Sequence, residues 1–229
     1  MLLIDLDPQG NASTGLGLTR DARTTGTYAL LTKDKSIAEV IQPTSIVQLS
    51  IVAADSDLIG AEIELVNEQR REYRLRDALH DADTRLHYDY VLIDCPPSLS
   101  LLTLNGLVAA DAVLVPLQCE YFPLEGISQT MRTIDLVRRR LNPDLRLQGI
   151  VLTMFDKRNN LSEQVATDAR GYFGNHVYDT VIPRNIRVSE APSHGKPVIL
   201  YDIRSPGAQA YVRLAAELLR RDRRQGSPT

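Results

Sequence analysis

The chain of 229 residues has no tryptophan, three phenylalanines, four histidines and two cysteines. Cys95 and Cys119 lie outside any C-x-x-C spacing and have no second pair, so neither a disulfide framework nor a cysteine metal cage is indicated. They read as small apolar residues of buried strands. The histidines are scattered, with no ligand pair at helical spacing. No apolar run reaches the roughly 18 residues of a membrane span. The most apolar neighbourhood, Ala109 to Leu117, is interrupted by Asp111. The start carries no basic region and no cleavage site, so no signal peptide is read and a cytoplasmic protein is expected.

Charge of one sign is also missing overall, but its distribution is uneven. The net charge is −3, whereas the stretch from Arg184 onward holds nine Lys/Arg against four Asp/Glu. A basic C-terminal fifth on an acidic body suggests a polyanion partner for one face. A solvated helix with a basic tail gives the same count. A chain of this length fits one large domain and can bury about 70% of its unfolded surface.

Along the chain, strand patterns alternate with helical periods. Strands are expected at Met1 to Ile4, Val47 to Asp55, Tyr90 to Pro97, Ala112 to Gln118, Leu147 to Asp156 and Asn175 to Pro183. Helices are expected at Arg71 to Leu86, Leu101 to Ala110, Leu124 to Leu141, Leu161 to Phe173 and Pro206 to Arg224. Alternation of this kind predicts an α/β fold with a doubly wound, mostly parallel sheet and helices on both faces. A single domain over residues 1–222 and a disordered tail over 223–229 complete the expectation.

In such sheets ligands gather at the carboxyl ends of the strands. Three apolar strands end there in polar signatures: Asp5-Leu6-Asp7-Pro8-Gln9-Gly10-Asn11, Asp94-Cys95-Pro96-Pro97 and Thr153-Met154-Phe155-Asp156. An apolar strand closing on aspartate is the Walker B arrangement, whose carboxylate holds Mg²⁺ directly or through water. Asp94 suits that role. Asp7, followed by a glycine-rich segment, suits an aspartate that positions an attacking water. Any one of these aspartates, taken singly, is explained as well by capping.

The stretches DLDPQGNASTGLG, VLIDCPPSLSLLTLNGLVAADAVLVPLQCEYFPLEG, VLTMFD and IPRNIRVSEAPSHGKPV resemble the ParA/Soj family of deviant-Walker P-loop partitioning ATPases. The likeness runs from Leu2 to about Leu219. The MinD and nitrogenase-iron-protein branches share the aspartate motifs but not PRNIRVSEAPSHGKP. One departure stands out. The family begins some thirty to forty residues earlier, with a strand, a KGGVGKTT-type loop and a helix. No G-x-x-x-x-G-K-[ST] occurs in this sequence, since Gly195-Lys196 is followed by Pro197. By resemblance that strand lies between the Tyr90 and Ala112 strands. Its removal is expected either to leave two apolar edges unpaired or to force them together. A start codon assigned too late is the first explanation, because members often carry Val where Met1 stands. A truncated, non-hydrolysing relic is the second.

The resemblance implies ATP and Mg²⁺ as ligands, a homodimer, nonspecific DNA and a ParB-type centromere-binding protein as partners, and a cytoplasmic, nucleoid-associated location. It makes Asp7 the hydrolysis aspartate, with Asp5 and Asp94 as metal-side carboxylates. A strand-end hydrogen bond is the other reading of Asp5. Gly10 and Asn11 belong to the nucleotide-sensing switch. Met154, Pro183 and Asn185 match positions lining the adenine pocket, although core packing also accounts for Met154. Arg184, Arg187, Lys196, Arg204 and Arg213 are the candidate DNA-facing charges; scattered solvated side chains are the alternative. A MinD-like membrane helix at Pro206 to Arg224 is disfavoured because the large aromatics of such a surface are absent.

Overall fold

Leu2, Leu3 and Ile4 form an uninterrupted apolar run, the pattern of a strand covered on both faces. In the computed structural model, which describes residues 1–80, 88–120 and 123–225, this run is the interior strand of a small sheet. In chain order the regular elements are β1 (Leu2–Asp5), α1 (Asn11–Gly15), α2 (Thr27–Thr32), α3 (Ile37–Val40), β2 (Gln42–Pro43) and β3 (Ser50–Val52). Next come α4 (Ala61–Glu64), α5 (Arg74–Leu79), β4 (Val91–Asp94), α6 (Leu101–Ala109), β5 (Ala112–Gln118), α7 (Pro123–Arg140) and β6 (Arg146–Thr153). The last four are α8 (Asn160–Phe173), α9 (Ile186–Glu190), α10 (Val198–Tyr201) and α11 (Pro206–Gln225).

The chain divides into two compact units. The first comprises Met1–Asp111, Thr133–Leu145 and Pro192–Gly195. Its sheet has the order β2-β3-β1-β4, with β1 parallel to both β3 and β4 and β2 antiparallel at the edge. Leu2, Ile4 and Leu6 are fully buried and pack with Leu30, Leu31 and Leu75. Asn142 closes the end of α6 by donating to the carbonyls of Leu107, Val108 and Ala110. These are the carbonyls a helix end leaves unsatisfied.

The second unit comprises Ala112–Arg132, Arg146–Ala191 and Lys196–Thr229. Its two strands, β5 and β6, run parallel with a register shift between Val113 and Leu114. Val151, Tyr178, Ile182, Ala210 and Leu214 form its core.

Among the described residues β4 pairs only with β1, and β5 only with β6. Val91 and Leu92 are accordingly 37% and 47% exposed.

Three expectations are corrected. Asn175 to Pro183 is not a strand: it forms isolated bridges at Val177 and Pro183 and single backbone hydrogen bonds to β6, with no continuous ladder. Arg71 to Leu86 begins as a 3₁₀ turn and is α-helical only over Arg74–Leu79, with residues 81–87 outside the described residues. The tail expected from Arg223 is still helix at Gln225, and residues 226–229 lie outside the described residues. Among the described residues no helix is long and apolar enough to cross a membrane.

Candidate functional site

Parallel pairing sets the geometry of the first unit's site. Asp5 lies opposite Asp94 in the register of β1 and β4, and the Leu6 amide donates to the Asp94 carbonyl at 2.8 Å. Two carboxylates thus sit side by side at the strand ends, and Asp7 follows two residues later. Burial pushes the Asp94 carboxyl up to about 6, with the negative charges of Asp5 and then Asp7 adding to the effect. Like charges crowded into a half-dry site disfavour ionisation in this way, and a hard cation relieves them.

Asp5 is used differently. It is 0% exposed. Its Oδ1 accepts from the Asp7 amide at 3.2 Å, and its Oδ2 accepts from the Ser13 amide at 2.8 Å and the Ser13 hydroxyl at 2.6 Å. Ser13 Oγ in turn accepts from the Ala54 amide at 3.2 Å. Burial raises the Asp5 pKa, and the hydrogen bonds from Ser13 oppose the rise. These are the bonds of the strand-end reading, which makes Asp5 the anchor of α1 to β1.

The loop after β1 folds tightly on itself. The Gly10 amide donates to the Asp7 carbonyl at 2.8 Å, and Asp7 Oδ1 accepts from the Gln9 amide at 3.0 Å. Gly10 has φ 63°, a left-handed value that glycine takes without steric cost. Asn11, exposed, opens α1. Farther along, Gly17 and Gly195 meet backbone to backbone, both with positive φ; a Cβ on Gly195 would lie 2.8 Å from the Gly17 Cα.

Two of the expected adenine-pocket residues, Met154 and Pro183, lie on main-chain segments of the second unit that are joined to each other. Met154, at φ 53°, follows directly on β6, and Phe155 beside it bridges in parallel to Pro183. The Phe155 amide donates to the Ile182 carbonyl and the Arg184 amide to the Phe155 carbonyl. Asn185 caps α9, its side chain accepting from the Arg187 amide at 3.2 Å.

The basic candidates are exposed but not bare. Arg184 lies 3.6 Å from Glu120. Arg187 is paired with Glu190 at 2.9 Å and with Asp202 at 3.6 Å. Lys196 and Arg204 are exposed. Arg213 lines a surface cavity with Arg220, Asp179 and Glu217.

Sequence reasoning missed Ser13, Thr14 and Arg23, which organise the loop. Arg23 is only 6% exposed and donates to the Leu18 carbonyl and to Thr14 Oγ1. Nothing local marks it, because a loop arginine ordinarily reads as solvated. The signal was non-local: only the folded loop encloses it.

Among the described residues no group of three or more His, Cys, Asp or Glu side chains forms a self-sufficient metal site. One or two carboxylates beside a phosphate-bearing ligand is the usual protein share of a Mg²⁺ site, and Asp94 fits that share.

Residues 1–147 match the family described as "AAA domain". The chain is 58% identical over 223 residues to the chromosome partitioning protein ParA of Caulobacter vibrioides, covering 97% of this chain and 84% of the relative. It is 56% identical to the Myxococcus xanthus ParA, covering 96% of this chain and 77% of the relative. Identity to the sporulation initiation inhibitor protein Soj of Bacillus subtilis is 50%, covering 95% and 85%. Among solved structures, cobyrinic acid a,c-diamide synthase from Mycobacterium smegmatis with bound ADP and magnesium superposes with TM-score 0.79 at 38% identity, over 96% of this chain and 81% of that one. The Cyanothece McdA(D38A)-ATP complex, at 17% identity and TM-score 0.82 over 95% and 84%, shares the fold. The chain therefore belongs to the ParA/Soj family of chromosome partitioning ATPases and has the mostly parallel α/β fold of P-loop NTPases.

Proposed function

We propose that this protein is an ATP-driven switch for DNA partitioning that hydrolyses ATP at the carboxyl ends of β1 and β4. The observation that carries the reading is the convergence of Asp5, Asp7 and Asp94 there, with the Asp94 carboxyl raised to about 6 by burial and by its acidic neighbours. Asp94 holds the metal side of the site, through water. Mg²⁺, when bound, neutralises charge on the phosphate oxygens of the nucleotide. Asp7 orients the attacking water, and Asp5 fixes the loop that carries Asp7. Phosphoryl transfer asks little more of side chains than positioning and charge neutralisation. No G-x-x-x-x-G-K-[ST] loop occurs in these residues, so no residue here is assigned to the phosphate cradle.

Met154, Pro183 and Asn185 line the adenine pocket, and Gly10 and Asn11 report nucleotide state. ATP-bound protein dimerises and binds DNA without sequence preference through Arg184, Arg187, Lys196, Arg204 and Arg213. A ParB-type centromere-binding protein stimulates turnover and release, and the protein resides on the nucleoid in the cytoplasm. Relatives named for chromosome partitioning support this assignment.

The test is binding of random-sequence duplex DNA by the native protein, followed by fluorescence anisotropy in ATP-Mg²⁺ and in ADP-Mg²⁺. Binding is expected only with ATP and should weaken steeply with salt, because contacts to phosphates release counterions. Arg184→Glu with Arg187→Glu should weaken it by about tenfold or more, in line with the loss of at least two phosphate contacts. Equal binding in ATP, in ADP and without nucleotide would favour a nucleotide-independent binding protein. Binding indifferent to the double substitution would refute the assigned face.

A further inference from the structure

Arg23 is a nearly buried cation that takes no part in the chemistry described above. Its Nε donates to the Leu18 carbonyl at 3.1 Å, and its Nη2 donates to the same carbonyl and to Thr14 Oγ1, both at 2.6 Å. Thr14 Oγ1 donates at 2.9 Å to the Gly10 carbonyl, and the Gly10 amide donates to the Asp7 carbonyl. Hydrogen bonds joined through the Gly10 backbone thus link the guanidinium to the main chain of Asp7. The remaining nitrogen, Nη1, faces Gly10 so closely that a Cβ there would lie 2.1 Å away. Glycine at position 10 suits the loop through its left-handed φ, and a side chain there would also meet the guanidinium. Asp5 grips the other half of the same helix through Ser13, and its charge attracts Arg23.

Charged donors make hydrogen bonds about twice as strong as neutral ones, and the fork of arginine fixes two acceptors at once. Held between a carboxylate and a guanidinium, α1 and its flanking turns have little freedom to shift. We propose that Arg23 is a positioning residue for ATP hydrolysis: it latches the Gly10–Leu18 loop and thereby sets the register of Asp7. This inference rests on the reading of Asp7 as the hydrolysis aspartate.

The experiment compares Arg23→Ala with the native protein in three measurements. Hydrogen exchange without nucleotide should show faster exchange at the amides of Ser13, Leu16, Gly17 and Leu18, with the β1, β3 and β4 amides unchanged. Steady-state ATP hydrolysis should show kcat lowered about 10- to 100-fold, the scale of a small misplacement of a catalytic group. KM should stay within about threefold, since transition-state positioning rather than nucleotide binding is lost. Guanidinium chloride, well below denaturing concentrations, should restore part of kcat in Arg23→Ala while equal sodium chloride does not. Unchanged loop exchange, an unchanged kcat, or failure of guanidinium to rescue would each overturn the proposal. If the native protein itself hydrolyses no ATP, the reading of Asp7 fails, while the exchange measurement still decides whether Arg23 latches the loop.

Discussion

Replacing Asp94 by asparagine removes one of the crowded carboxylates with little change in shape, and the structure fixes the sign and size of the effect. In the unfolded chain the Asp94 carboxyl has its ordinary value of 3.8, and in the folded protein burial, then Asp5, then Asp7, lift it to about 6. The folded state therefore holds the proton more tightly. The stability this group contributes is fully present below pH 3.8 and is lost as the pH rises through about 6. Two units correspond to about 3 kcal/mol at most, and screening by water at a partly exposed carboxylate brings this to on the order of 1–2 kcal/mol. A neutral asparagine side chain carries no such penalty. Urea unfolding of Asp94→Asn and the native sequence should show the variant more stable by about 1–2 kcal/mol at pH 8, with the difference shrinking toward zero near pH 4. In parallel, Mg²⁺-dependent ATP hydrolysis should fall. A variant no more stable at pH 8, or one whose advantage is the same at pH 4, would refute the claim that burial, with the charges of Asp5 and Asp7, disfavours the ionised Asp94.

Other substitutions probe the supports of the site. Gly10→Ala should cost about 3–5 kcal/mol, combining a left-handed φ with displacement of the Arg23 fork. In an Arg23→Ala background the cost should drop to about 1–2 kcal/mol, and a urea double-mutant cycle reads the difference. Gly195→Ala places a Cβ against the Gly17 backbone and should lower stability by about 1–3 kcal/mol, or Tm by roughly 2–10 °C in a thermal melt. Glu217→Ala should cost about 2–4 kcal/mol at neutral pH, because the Asp179 and Thr180 amides and the Arg221 guanidinium lose their acceptor. Burial raises the Glu217 pKa, but bonds to Thr180 and Asp179 outweigh it and leave it lowered. Its stabilisation is therefore present above the ordinary glutamate range and disappears as the pH falls, which acid titration followed by circular dichroism will show.

Strong periodicity was legible from sequence. The strand Ala112–Gln118 has the expected bounds, and the expected helices opening at Leu124, Leu161 and Pro206 are α7, α8 and α11 within one or two residues. Signals carried by distant partners were not. The run Asn175 to Pro183 alternates like a strand, yet Glu217, some 38 residues away, captures the amides of Asp179 and Thr180. Pro183 offers no amide to a ladder at all. Helix α1 has only five residues and glycines about it, too few for a periodic pattern; it exists because Asp5 binds Ser13 and Arg23 binds Thr14. The aspartates at the strand ends were visible one by one. Only the pairing of β1 with β4 places Asp5 opposite Asp94, and only the fold shows that the Asp5 carboxylate is fully buried and bonded to Ser13.

The most direct test of the proposed active site is ATP hydrolysis by the native protein against its Asp7→Ala variant, at saturating ATP and Mg²⁺, with nucleotide binding measured alongside. The account predicts that the variant still binds ATP but turns over about 100-fold more slowly or worse. Undiminished turnover in Asp7→Ala would contradict the assignment of Asp7, and with it the placement of catalysis at the carboxyl ends of β1 and β4.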